Sequence, residues 1–456
     1  MSGAATSTAA LKEALVGDRE AEFVWLCNFE AEHEWAQGFP GLPAAQGAAA
    51  APVVQRMEQL GSLLSDPGDH LLLGAPLDPG HRRHLEEAGL TPAQEILVDG
   101  ADTARAVLGS PSVLRRLREL ADRGAHLMPM GMSRSIAEIA AATGLKPAAP
   151  DAATARRVNS KIYSRAVVDE LGLRAVPGRS CTTADGLRSA LLSDTAEDPP
   201  VIVKDAYGVS GKGLLVVDSR KRAEGLVRMV ERRAARTGDP AVHVVVERFL
   251  PKRFDLNYQF TIDRAGRTRL DFVKQALTSG GVHQGHLVPA GLSCAHIEEI
   301  GRAAELLGGR LHADGFFGAV GVDALLGEDG LLYPVLEINA RLNMSSYQSR
   351  VMERFHRPGS MALAKHYTLR PRRPVGFAEL TEALDGLAVP PADGRGALIA
   401  CFGTLNAHGP EQGGSARPAE GRLYTVLFAP DGGRLAELDR RFAERLGRLT
   451  DQEAAR

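Results

Sequence analysis

Through the first hundred positions, apolar residues come in short continuous runs separated by stretches with helical spacing. Residues 23–29 (FVWLCNF) read as a buried strand, 53–64 as a helix, 71–73 as a second strand, 79–88 as a helix and 95–99 (EILVD) as a third strand. Continuous apolar strands alternating with helices predict a small parallel α/β domain over residues 21–150. An Ala/Gly/Pro-rich stretch interrupts it up to about Pro52, and the small polar residues of 1–20 predict a disordered N-terminus. No GxGxxG is present, so the alternation does not point to a dinucleotide site.

Past an expected linker at 148–153 (AAPDAA) the pattern changes. Helices are predicted at 157–171 and 183–192, followed by the strand PPVIVKD. Then HVVVERFL, FDLNYQFTID, TRLDFVKQAL, GAVGVDALL and LLYPVLEIN read as strands, with one helix, 297–311, among them. This run predicts a largely antiparallel domain over 151–370. The tail, 371–456, carries strands at 397–401 and 423–428 and a helix at 434–446, predicting a small C-terminal α+β domain. The expected fold class is thus mixed α/β and α+β.

Composition narrows the function. The chain has 456 residues, 44% apolar and 24% charged, as in ordinary globular proteins. Its 54 basic and 56 acidic residues nearly cancel, which gives no general attraction to nucleic acid or to an anionic membrane. Any anion site must be a local cluster. Four cysteines without a CxxC pair, no signal-peptide pattern and no apolar run near the ~20 residues that cross a bilayer predict a cytoplasmic protein with reduced thiols.

Three segments carry chemistry. Lys204 ends the strand VIVK, and Gly208, Ser210, Gly211, Lys212 and Gly213 follow in the next nine positions. Glycines directly after a strand suit a loop whose backbone N–H groups face phosphate oxygens. The loop is not GxxxxGK[ST], and a flexible hairpin fits it nearly as well. Glu337 and Asn339 share one face of a strand, and Asp323 lies on the strand before. A three-residue loop ending in Gly330 would set Asp323 opposite Val335 with Glu337 as its diagonal neighbour. Two carboxylates and an amide oxygen on one face suit Mg²⁺. A solvated strand face is the competing reading, weakened by Leu336, Ile338, Val320 and Val322 at the alternate positions. Between these segments, VVVERFLPKRFD brings Glu247 to a strand end, where backbone and carboxylate can read an adenine edge, with Asp255 eight positions on.

Taken in order, these residues and Lys161 at a helix start resemble the ATP-grasp superfamily over 151–350. The resemblance implies two α+β subdomains clamping ATP, with Lys161 and Lys204 on the phosphates and the glycine loop closing over them. Glu247, Phe249 and Leu250 would read the adenine, Asp255 the ribose, and Asp323, Glu337 and Asn339 would hold Mg²⁺. Arg341, in EINARL, would act beside Lys204 in catalysis. LCNFEAEHEW near the start and CFGTLNAHG in the tail resemble the pheganomycin-type peptide ligases, which carry a pre-ATP-grasp domain. That implies an ATP-dependent, ADP-forming ligase of antibiotic-type metabolism, joining a carboxylic acid to an amine or peptide through an acyl phosphate.

His283 and Gln284, in SGGVHQGHLVPAG, are candidates for a substrate loop together with Arg341, and a mobile surface loop accounts for them equally. A zinc site there lacks further ligands at suitable spacing. A small-molecule kinase on the same fold and a non-catalytic ATP-binding protein stay open as rivals, as does homo-oligomerisation.

Overall fold

The computed structural model describes residues 7–43, 51–100, 102–193, 200–208, 213–279, 282–408 and 420–454. The short apolar runs at the start form parallel strands: β1 (Phe23–Leu26), β2 (His70–Leu73), β3 (Gln94–Leu97), β4 (His126–Pro129) and β5 (Lys146–Pro147). Their order is β3-β2-β1-β4-β5, and every residue of β1 and β2 is buried, as expected of parallel strands covered on both faces. The helices Pro111–Asp122 and Arg134–Thr143, with β4 between them, complete the unit.

The N-terminus differs from the sequence-based expectation. Helix Ser7–Val16 is ordered and buries Leu11 and Leu15. Lys12, almost fully buried, reaches Asp69 at 2.8 Å and Asp66 at 3.1 Å. Asp69 also accepts from the Phe23 amide and Trp25 Nε1, so the buried charges are well paired. The polar composition hid the helix because Leu11 and Leu15, one turn apart, are its only large apolar residues that are buried, and the partners of Lys12 lie more than fifty residues away.

The expected linker is partly helical. Asp151 accepts from the Ala153 and Thr154 amides and caps a helix over Ala152–Val158. The single helix expected at 157–171 is therefore two, the second running Lys161–Glu170.

Two antiparallel sheets follow. The smaller contains β6 (Gly178–Thr183), β7 (Val201–Asp205), β8 (Leu214–Val217) and β9 (Ala241–Arg248) in the order β6-β9-β7-β8. The larger has eight strands: β10 (Lys252–Ile262), β11 (Thr268–Ser279), β12 (Val282–Val288), β13 (Gly318–Gly327), β14 (Leu332–Asn339), β15 (Met361–Leu369), β16 (Gly396–Cys401) and β17 (Gly421–Ala429). Their order is β14-β13-β10-β11-β12-β15-β17-β16. The expected C-terminal α+β domain therefore has no sheet of its own: β15 pairs with β12, and β17 and β16 extend the same sheet.

Strand β10 shows why the large sheet has a working face. Leu256, Tyr258, Phe260 and Ile262 enter a core with Val167, Ile300 and Leu307 from the helices Lys161–Glu170 and Cys294–Ala313. The alternate positions Asn257, Gln259 and Thr261 are polar and also buried, so the opposite face must supply partners.

Candidate functional site

On that polar face one row crosses four strands. Lys274 pairs with Asn257, Asn257 with Asp323, and Asp323 with Glu337. The turn behaves as expected, with Gly330 at φ +78° and Leu326 opposite Leu332. Beyond Leu325–Tyr333 the register shifts, and Asp323 stands directly opposite Glu337 rather than Val335. Pro334 sits in the irregular stretch, where a missing N–H costs no ladder bond, and its carbonyl accepts from buried Tyr258 at 2.9 Å. Opposite Asn339 lies Gly321, where a Cβ would fall 1.8 Å from Asn343 Nδ2.

Asn257 donates to one oxygen of Asp323 at 2.8 Å, and Asn339 to the other at 3.3 Å. Burial and the Glu337 carboxylate push the Asp323 carboxyl up to about 6. Two acids forced together in a dry place fit a hard cation, whose charge would hold both ionised. Among the described residues no cluster of three His, Cys, Asp or Glu side chains could hold a metal. Asp323, Glu337 and the Asn339 amide are the candidate oxygen ligands here, a donor set that would suit Mg²⁺ if phosphate oxygens and water completed it.

The two lysines reach this row from the other side. Lys161 Nζ lies 2.6 Å from Glu337 Oε1 and donates to the Gly208 carbonyl at 2.8 Å, so the loop after β7 meets β14 at one ammonium. Lys204 Nζ lies 2.6 Å from Glu247 Oε2, and Arg165 Nη1 approaches Glu247 Oε1 at 3.9 Å. Lys161 and Arg165 are one turn apart on the same helix, which thus touches both sheets. Ser210, Gly211 and Lys212 lie outside the described residues; Gly208 and Gly213 lie within them.

The remaining candidates are placed unequally. Phe249 is exposed and Leu250 half-buried beyond the end of β9. Asp255 holds Lys252 and accepts from Thr278 at 2.6 Å. Arg341 is not open to solvent: its guanidinium is ion-paired with Glu32, in the helix Ala31–Trp35 after β1. His283 and Gln284 are in β12, not in a loop, and the His283 ring lies 4.4 Å from that of His286. Burial pushes the His283 imidazole down to about 4.

Four residues missed by sequence reasoning connect these positions. Ser345 donates to Asn257 at 2.7 Å, and its carbonyl accepts from Lys274 Nζ at 2.9 Å. Lys274 also donates to Gln348 Oε1 at 3.1 Å, and Gln348 Nε2 stands 3.1 Å from His286 Nδ1. A polar chain thus runs from Asp323 through Asn257, Ser345, Lys274 and Gln348 to the histidines. Since Gln348 Oε1 accepts from Lys274, its Nε2 must donate, which leaves the His286 proton on Nε2. Lys274 is fully buried, and desolvation lowers its pKa well below the usual lysine range. Polar residues at alternate positions of FDLNYQFTID, and a lysine inside DFVKQAL, were the available signals.

Comparison with known proteins agrees with this architecture. Residues 57–145 match the Pre ATP-grasp domain, and 160–351 match the carbamoyl-phosphate synthase L chain ATP-binding domain. A [butirosin acyl-carrier protein]–L-glutamate ligase from Niallia circulans is 32% identical over 206 residues, 44% of this chain. The match spans 46% of that ligase, about half its length. Biotin carboxylase from Campylobacter jejuni, solved with an ATP analogue, superposes with a TM-score of 0.56 at 15% identity, covering 94% of this chain and 95% of its own. Carboxyaminoimidazole ribonucleotide synthase from Aspergillus clavatus, solved with ATP, gives 0.53 at 14%, covering 94% and 99%. At such identities these two speak for the fold alone. With both domains matched in sequence order and the fold shared from end to end, the chain belongs to the ATP-grasp superfamily, with a pre-ATP-grasp domain ahead of its ATP-binding domain.

Proposed function

We propose that the protein is an ATP-dependent, ADP-forming ligase that joins a carboxylic acid to an amine or peptide through an acyl phosphate. The observation that carries this reading is the meeting of Lys161, Glu337 and the Gly208 carbonyl beside the Asp323–Glu337 pair. A candidate phosphate-binding cation and a candidate metal-ligand pair come together there. Among the described residues the nearby hydroxyls of Ser345 and Ser346 donate to Asn257 and Gln259, not to a base, so neither is set up as an acyl-enzyme nucleophile. The kinship with an acyl-carrier-protein–L-glutamate ligase favours ligation over transfer to a hydroxyl, and a role in specialised metabolism.

In this reading Lys161 and Lys204 turn from their glutamates to the phosphates, and Phe249 and Leu250 bound the adenine, with Asp255 at the ribose. Mg²⁺ on Asp323, Glu337 and Asn339 would neutralise charge on the phosphates. Arg341 holds the acid while a carboxylate oxygen attacks the γ-phosphorus and ADP leaves. The amine then attacks the acyl carbon, phosphate leaves, and the nitrogen sheds its proton. Positioning and charge neutralisation carry the rate. Chromatography of the spent nucleotide tests the route: ADP, phosphate and amide should form in equal amounts. With ¹⁸O in the acid carboxylate, one label should leave in phosphate. AMP with pyrophosphate would sink the proposal, and a phosphorylated hydroxyl without amide would favour the kinase.

A further inference from the structure

Arg341 and Glu32 come from different domains, and their backbones are pinned. Leu342 N donates to the Met130 carbonyl at 3.2 Å, just after β4. Asn28, just after β1, donates to the Gly131 carbonyl at 2.7 Å and accepts from its amide at 3.2 Å. Trp35 Nε1 donates to the Met132 carbonyl at 3.0 Å. Glu32 therefore sits at the carboxyl ends of two adjacent parallel strands, where open α/β sheets bind ligands. Their side chains are 13% and 7% exposed.

The ion pair between them is incomplete. Arg341 uses one terminal nitrogen on Glu32 Oε1 and the other on the Leu342 carbonyl at 3.0 Å. Among the described residues, Arg341 Nε and Glu32 Oε2 are buried and have no hydrogen-bond partner. Unsatisfied buried groups of opposite character, side by side in a native site, call for an explanation. Arg341 also lines a small cavity walled by Met130, Met132, Ala148 and Leu342, where water gives little relief.

Suppose a substrate carboxylate docks on Arg341, as the ligase reading requires. Glu32 is then its neighbour, and two carboxylates would share one guanidinium in a poorly hydrated place. Like charges so placed oppose each other strongly. The conflict disappears if the ligand brings a cation beside its own carboxylate. We infer that Glu32 and Arg341 together read the zwitterion of a free α-amino acid, with Glu32 on the ammonium and Arg341 on the carboxylate to be activated. The acid component is then an amino acid, not its N-acylated or deaminated counterpart. This rests on the ligase reading for the place of the carboxylate.

The test pairs binding with turnover. Proteinogenic L-amino acids and their N-acetyl counterparts are titrated calorimetrically into the full chain with Mg²⁺ and adenylyl-imidodiphosphate, and assayed for phosphate release with MgATP and hydroxylamine as the amine that discharges the acyl phosphate. The wild type should favour at least one free amino acid over its N-acetyl form by about tenfold or more, the scale of one lost charge-assisted contact. In Glu32→Gln that ratio should fall toward one. N-acetyl acids bound equally well, or an unchanged ratio in Glu32→Gln, would overturn the inference. Failure of every amino acid to bind would do the same. Phosphate release with N-acetyl acids alone would remove this inference and leave the ligase standing. Discrimination in binding without phosphate release from any acid would do the reverse. Should Glu32→Gln fail to fold, the wild-type comparison decides alone.

Discussion

The two ends of the candidate site are built on opposite plans. At the end proposed to hold nucleotide, Lys161 and Lys204 each close on one glutamate, Glu337 and Glu247, at 2.6 Å in both cases. At the other end Lys274, Gln348 and His286 are buried and bonded to one another through a chain that reaches Asp323. Each lysine at the first end can exchange its glutamate for a phosphate without stranding a charge, provided a cation takes Glu337. No member of the second chain can leave without stranding a neighbour. One end is arranged to change partners, the other to hold a shape.

The largest effect should come where the two plans touch. Glu337→Gln removes a ligand charge and the Lys161 partner together. We expect a loss of turnover of roughly 100-fold or more, comparable to deleting one group that stabilises transition-state charge, with unchanged circular dichroism. Turnover within a few-fold of wild type would remove Glu337 from the metal set.

Lys204→Ala should act on binding. Loss of a charge-assisted phosphate contact, worth about 1.5–3 kcal/mol, should weaken ATP by about 10- to 100-fold in calorimetry. Its effect on melting should be small, because Arg165 stays 3.9 Å from the Glu247 carboxylate. A large drop in melting temperature with ATP affinity intact would make this pair structural and erase the contrast.

Gln348→Leu should show the opposite profile. It takes one of two bonds from Lys274 and leaves His286 Nδ1 unpaired in the interior, at a cost of about 1–3 kcal/mol in denaturant unfolding, with little effect on ATP affinity. Unchanged stability would mean the chain is not rigid.

Acid should also separate the two ends. Burial lowers the His283 imidazole to about 4 and that of His286 well below the usual histidine range. A histidine depressed in the fold binds its proton more readily when unfolded. Its contribution is therefore complete above about 6.5 and is lost as pH falls from there toward 4. Melting curves at pH 7.5 and 5 should show a loss to which each ring adds up to about 2 kcal/mol, alongside His81, His84 and His366, which burial also lowers to about 4. His286→Gln, neutral at both pH values, should lose less, and an equal loss would place the acid sensitivity elsewhere.

This contrast also explains what was legible in the sequence. Glu337 and Asn339 are two positions apart on one strand, and Asp323 sits on the strand before, so local spacing brings them together. Lys204 announces itself by the glycines after it. The Lys274 chain draws on β10, β11, β12 and the segment after β14, and needs the sheet order before any contact can be foreseen. The Arg341–Glu32 pair spans two domains and depends on how the end of β14 meets the carboxyl ends of β1 and β4. Histidines assigned to a polar loop proved to be strand residues, because glycines at 280, 281 and 285 resemble loop punctuation.

The register shift in β14 carries a consequence for how this protein can vary. Between the pairs Leu325–Tyr333 and Asp323–Glu337, β13 advances by two residues and β14 by four. The excess is even, so Glu337 and Asn339 keep the orientation that an uninterrupted strand would give them. Side chains alternate with a period of two, so a single-residue insertion or deletion there would turn Glu337 and Asn339 into the hydrophobic core and bring Ile338 out onto the polar face. A change of two would return the strand to the same face. Length variation at this point is governed by parity, and related chains should differ between Tyr333 and Glu337 by even numbers of residues or not at all.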